Sequence, residues 1–114
     1  MAAIANLRID QGATFTSDVT VTDSNGDAFD LTGYTASAKM AKGYTSTRTR
    51  TSITTTINSD PTTGIIQLSL TADQTDTLDA PARYVYDVEI TQTSDSTITR
   101  VIEGIITVSP SVTN

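Results

Sequence analysis

The side chains with the most chemical potential in this sequence are its carboxylates and one short basic stretch. Asp73, Asp76 and Asp79 recur every three residues, and paired carboxylates serve as acid and base in sugar hydrolysis. These three fall beside a predicted helical turn, in a chain with few aromatics to stack a sugar, so they read as solvated, helix-terminal acids. Asp23-Ser24-Asn25-Gly26-Asp27 sets three oxygen-bearing side chains at alternate positions with a glycine at the bend, as in the first half of a calcium loop. The distal glutamate of such a loop is missing. The same residues make a good hairpin turn, because Asn-Gly takes positive φ readily, and the turn reading predicts no metal site and no cofactor.

Cysteine and histidine are both absent. That removes disulfides, thiolate and imidazole metal ligands, and the usual nucleophile and general base. No catalytic residue is expected, and the chain is predicted to be no enzyme.

From Leu31 to Ser59 there is no acidic residue, while Lys39, Lys42, Arg48 and Arg50 all lie there. Basic residues on an edge strand discourage unwanted strand pairing. The functional counterpart is a docking face for an acidic neighbour, which makes Lys39, Lys42, Tyr44, Arg48 and Arg50 the candidate partner-binding residues. Over the whole chain, 7 Lys+Arg against 13 Asp+Glu give a net charge of −6. A negative chain is repelled by phosphate backbones and anionic lipid, so neither nucleic acid nor membrane is an expected partner, and no small-molecule substrate is implied. Apolar runs such as Val101-Ile102 and Ile105-Ile106 fall far short of the roughly 20 residues that cross a bilayer. The N-terminus lacks a basic start followed by a long apolar core, so no signal peptide is expected and the chain is predicted to be used as made.

These groups must be positioned by strands. Threonine makes up roughly a fifth of the chain, and β-branched side chains pack well on a pleated surface. At 114 residues the chain suits a single domain spanning 1–114 with its own core. Period-two alternation marks the strands: Leu7 and Ile9; Phe15, Val19 and Val21; Ala36, Ala38 and Met40; Ile53 and Ile57; Ile66, Leu68 and Leu70; Tyr84, Tyr86, Val88 and Ile90; and Ile98 through Ile102, Gly104, Ile106 and Val108. The segment from Lys42 to Ser52 shows no alternation and is expected as a long loop or edge excursion. Asp60-Pro61-Thr62-Thr63-Gly64 is a predicted turn. Thr71 stands three residues before Gln74, the spacing of a capping box, which predicts one helical turn over about Ala72 to Leu78 as the only helix. Gly104 inside a strand predicts a bulge or a close backbone approach.

About seven short strands at regular spacing predict an all-β, immunoglobulin-like antiparallel β-sandwich with one short helical turn. Leu78, a bend at Asp79 to Arg83, and Tyr84-Val85-Tyr86 fit a tyrosine corner, in which a tyrosine at the start of the penultimate strand bonds to upstream backbone. Tyr86 then takes the place of an antibody domain's second cysteine. The predicted core includes Phe15, Val19, Val21, Leu68, Leu70, Tyr86, Val88 and Ile106.

Four stretches in order carry a resemblance: Asp30-Leu31-Thr32-Gly33-Tyr34-Thr35-Ala36, Gly64-Ile65-Ile66-Gln67-Leu68-Ser69-Leu70-Thr71, Arg83-Tyr84-Val85-Tyr86-Asp87-Val88-Glu89-Ile90 and Thr99 to Val108. Together, over about Ile9 to Thr113, they resemble small immunoglobulin-like virion proteins of tailed phages, notably of marine cyanophages. They are also similar to the N-terminal domain of phage baseplate upper proteins. The resemblance implies a non-enzymatic structural component of the virion, an accessory or decoration module on the capsid, neck or tail/baseplate. Its implied partners are other virion proteins, including copies of itself. The implied location is the virion, after synthesis in the host cytoplasm. The second reading is an adhesion domain that binds a host-surface glycan or protein, for which exposed Tyr34 and Tyr44 would be the stacking rings.

Overall fold

Alternation in the sequence becomes alternation in burial. In β3 (Phe15–Thr20) Phe15 and Val19 are buried between exposed threonines. In β6 (Ile65–Leu70) Ile66, Leu68 and Leu70 point inward, and in β7 (Ala82–Gln92) Tyr84, Tyr86, Val88 and Ile90 do the same. The other strands are β1 (Ala3–Ile4), β2 (Leu7–Asp10), β4 (Tyr34–Ala41), β5 (Thr51–Ile57) and β8 (Ile98–Ser109). The computed structural model describes residues 3–43 and 50–111. All eight of the predicted core residues named above are buried, joined by Ile9, Leu31, Met40, Ile53, Ile102 and Val108 among others.

The strands follow one hydrogen-bonded path, β1-β8-β7-β4-β5-β6-β3, with β2 also on β8. The path folds over at β5, whose Thr51, Ser52 and Ile53 pair with β4 while Thr54 to Ile57 pair with β6. The larger sheet is therefore β1/β2-β8-β7-β4 and the smaller is β3-β6, with β5 closing one side of both. In immunoglobulin lettering these are the A′-G-F-C and B-E-D sheets. The fold is an immunoglobulin-like β-sandwich.

Three expectations change in detail. The sandwich has eight described strands, and β1 and β2 lie parallel to β8. The chain enters beside its own last strand and only then crosses to the other sheet, so the pairing is not wholly antiparallel. The segment from Lys42 to Ser52 is not all loop, since β5 already begins at Thr51. The helix, α1, covers only Ala72–Asp76; beyond it the Leu78 N–H reaches back three residues to the Thr75 carbonyl, which tightens the last turn. A 3₁₀ turn at Pro61–Thr63 adds a second helical element, because Asp60 caps it and Pro61 presets its first φ.

The capping box is present: the Gln74 N–H donates to Thr71 Oγ1 at 3.2 Å and the Thr71 N–H to Gln74 Oε1 at 2.8 Å. So is the tyrosine corner. The Asp79 N–H donates to the Tyr84 hydroxyl at 2.9 Å, fixing the bend between α1 and β7. Gly104 marks a close approach, since a Cβ there would stand 2.2 Å from the Ala5 carbonyl oxygen. The bulge is elsewhere, where register shifts between Val88 and Glu89.

Candidate functional site

Of the two acidic clusters singled out by spacing, the one at Asp23 to Asp27 closes on its own backbone. Asp23 Oδ1 accepts from the N–H groups of Asn25 at 2.9 Å and Asp27 at 3.1 Å, and Gly26 takes φ 84°, the geometry of a closed turn. Asp73 lies in the first turn of α1 and Asp76 ends it, both exposed. Asp79 sits in the connection to β7 and forms an ion pair with Lys42. Three further aspartates share an Asp-x-Thr pattern: Asp30 accepts from Thr32, Asp60 from Thr62 and Asp95 from Thr97. The Thr32 hydroxyl and N–H hold the Asp30 carboxyl below its ordinary range, and the Thr97 N–H does the same for Asp95. Burial pushes the Tyr86 phenol up to about 12, while its hydroxyl donates to the Ala5 carbonyl at 2.5 Å.

The basic stretch is only partly gathered into one place. Lys39, on the outward face of β4, stands in register with Asp87 of β7. Arg50, just before β5, lines the same shallow depression of about 290 Å³ together with Ser37, Lys39, Asp87 and Glu89. Beside it, Ala41, Gly43 and Val85 wall a smaller hollow of about 80 Å³ that Lys39, Arg50 and Asp87 also border. Lys42 is turned to Asp79 instead. Tyr44 and Arg48 lie outside the described residues. Among the described residues the separation of charge along the chain is not kept at Lys39: β7 runs beside β4 and brings Asp87 to the lysine. Asp87 and Glu89 were legible as outward-facing strand residues, but the register that sets them beside Lys39 arises only from the β4–β7 pairing.

This depression lies on the outward face of the larger sheet. Successive rows across that face read Arg8, Thr107, Arg83; then Ile105, Val85, Ala41; then Ile4, Glu103, Asp87, Lys39. Ile4 is 77% exposed and Ile105 40%, and Arg100 Nε bridges to Asp87 at 3.4 Å. Such a face of mixed charge around apolar side chains suits protein contact. Tyr34 is not a free stacking ring: it is half-buried, edge-on to Phe29 with centroids 5.5 Å apart.

No protein-family model matches this chain, and no curated protein matches it. Among solved structures it is similar to the filamin domain of Lin-41, at 14% identity over 82% of this chain and 81% of that chain, with a TM-score of 0.40. The fold assignment stands on the strand order and the Tyr84 corner.

Proposed function

We propose that this domain is a non-enzymatic structural module of a tailed-phage particle, carried on the capsid, neck or tail/baseplate and acting through contacts with other virion proteins. The ordered resemblance over about Ile9 to Thr113 supports the particle. The observation that carries the contact reading is the outward face of the larger sheet, where Lys39, Arg50, Asp87 and Glu89 border one open depression. A shallow, mixed-charge surface meets a protein face better than it encloses a small molecule. The perturbed titrating groups have structural work: Tyr86 anchors the first strands, and Asp30 and Asp95 close turns. An adhesion domain for a host glycan is the weaker reading, because Tyr34 spends its ring on Phe29.

The test is immunogold labelling of intact particles with an antibody to this chain, followed by incorporation of a Lys39→Glu, Arg50→Glu variant at low and high salt. Labelled particles and reduced incorporation of a variant that melts normally support the reading. Particles without label overturn it.

A further inference from the structure

On the outward face of the larger sheet, cross-strand register puts like charges side by side. Asp87 of β7 is paired with Glu103 of β8, an arrangement that is unfavourable within one sheet. Arg8 and Arg83 flank Thr107 in another row. Between the basic and acidic rows lies the apolar row of Ile105 and Val85, with each row separated from the next by about 7 Å, the spacing of same-face residues on a strand. Within the chain Arg8 pairs with Asp10 at 3.5 Å and donates to Ser109 Oγ at 2.8 Å, and Asp87 pairs with Arg100 at 3.4 Å; these partners are exposed, and such surface pairs contribute little.

We propose that this face is a self-complementary docking surface for a second copy of the chain, related by a two-fold axis along the Ile105–Val85 row. Rotation by a half turn about an axis parallel to the sheet, lying between the two faces, lays one copy's basic row over the other's acidic row. Arg83 of each copy then faces Asp87 of the other, because both belong to β7. Arg8 comes beside Ile4 and Glu103, and Ile105 and Val85 meet their own counterparts on the axis. An isologous contact requires this self-complementarity of a single patch, and opposite signs at matched positions set its register. Lys39, Glu89 and Arg100 fall at the rim. Four strands and three rows form a small patch beside the roughly 800 Å² per partner of a standard interface, so association is weak in free solution and strengthens where many copies are held close together. The inference concerns the isolated domain and stands apart from its place on a particle.

Sedimentation velocity on the purified chain, from micromolar to millimolar concentration, reads the association directly. The wild type is expected to dimerise at the upper end in low salt and to dissociate as salt screens the two charge pairs. Arg83→Glu alone and Asp87→Lys alone each set like charges against each other across the axis, and each is expected to weaken association by roughly tenfold or more. Mixing the two variants gives a pair in which one chain is negative at both positions and the other positive at both, so the mixture is expected to associate again. Ile105→Asp, at an exposed position outside the core, removes the axial contact and is expected to leave monomers; thermal melts of all variants establish that they fold. A wild type that stays monomeric at millimolar concentration in low salt overturns the proposal and leaves the face to another protein. Single variants that associate like the wild type, or a mixture that does not recover, overturn it as well.

Discussion

The Tyr86 hydroxyl donates to the Ala5 carbonyl oxygen at 2.5 Å, across 81 positions of sequence. It binds the entering chain, β1 and β2, to the centre of the larger sheet. Asn6 Oδ1 adds an acceptor for the Ile105 N–H at 3.1 Å, and the Ala5 N–H donates to the Glu103 carbonyl at 2.9 Å. Tyr86→Phe is expected to cost about 1 kcal/mol and to lower the melting temperature by roughly 4 °C or somewhat more. Hydrogen exchange locates the effect: the amides of residues 3–10 should lose protection more than those of β7.

The same phenol gives the domain an alkaline signature. In the folded chain Tyr86 keeps its proton up to about 12, against an ordinary value of 10.0. The unfolded chain releases that proton first, so the contribution is fully present below about pH 10 and is lost as pH rises toward 12. Tyr86 should give a late phase in an ultraviolet phenolate titration. Tyr86→Phe should remove the lagging phase and flatten the fall in stability over that window.

Gly104 tests the fit beneath the first strands. A Cβ there would lie 2.2 Å from the Ala5 oxygen and 2.8 Å from the Ala5 carbonyl carbon, and backbone cannot yield as a flexible side chain does. Gly104→Ala is expected to cost about 1–3 kcal/mol by overpacking, more than Tyr86→Phe, with the loss concentrated in the pairing of β1 and β2 to β8. Equal melting temperatures for Gly104→Ala and the wild type would contradict the close approach.

Thr75 is the one polar residue fully buried among the described residues. Its Oγ1 accepts from the Gly12 N–H at 3.0 Å and donates toward the Ala13 carbonyl at 2.9 Å, which pins the β2–β3 turn to α1. Thr75→Val keeps the shape and orphans both groups, so a loss of about 1–3 kcal/mol is expected in chemical denaturation. Thr75→Ser, which keeps the hydroxyl, should recover most of it.

Val88 has no exposed surface at the middle of β7. Val88→Asp buries a charge at a cost of several kcal/mol, against a total stability of about 5–15 kcal/mol. Circular dichroism of that variant should show an unfolded chain at room temperature.

The sequence by itself determined the strands, their inward faces and the local devices that end them. Period-two alternation depends on which residues shun water, so Phe15, Leu68, Tyr86 and Ile106 were readable without a partner strand in sight. The Thr71–Gln74 cap and the Asp23–Asp27 turn were readable too, because their hydrogen bonds close within a few residues. Tertiary structure alone decided what depends on register between distant segments. The switch of β5 between sheets at Ile53 and Thr54, and the parallel entry of β1 and β2 along β8, leave no periodic mark. Neither does the placing of Asp87 beside Lys39 and Glu103. An outward side chain obeys the same alternation whichever strand lies next to it, so charge that is separated along the chain becomes neighbouring charge only once the inward faces have chosen their partners.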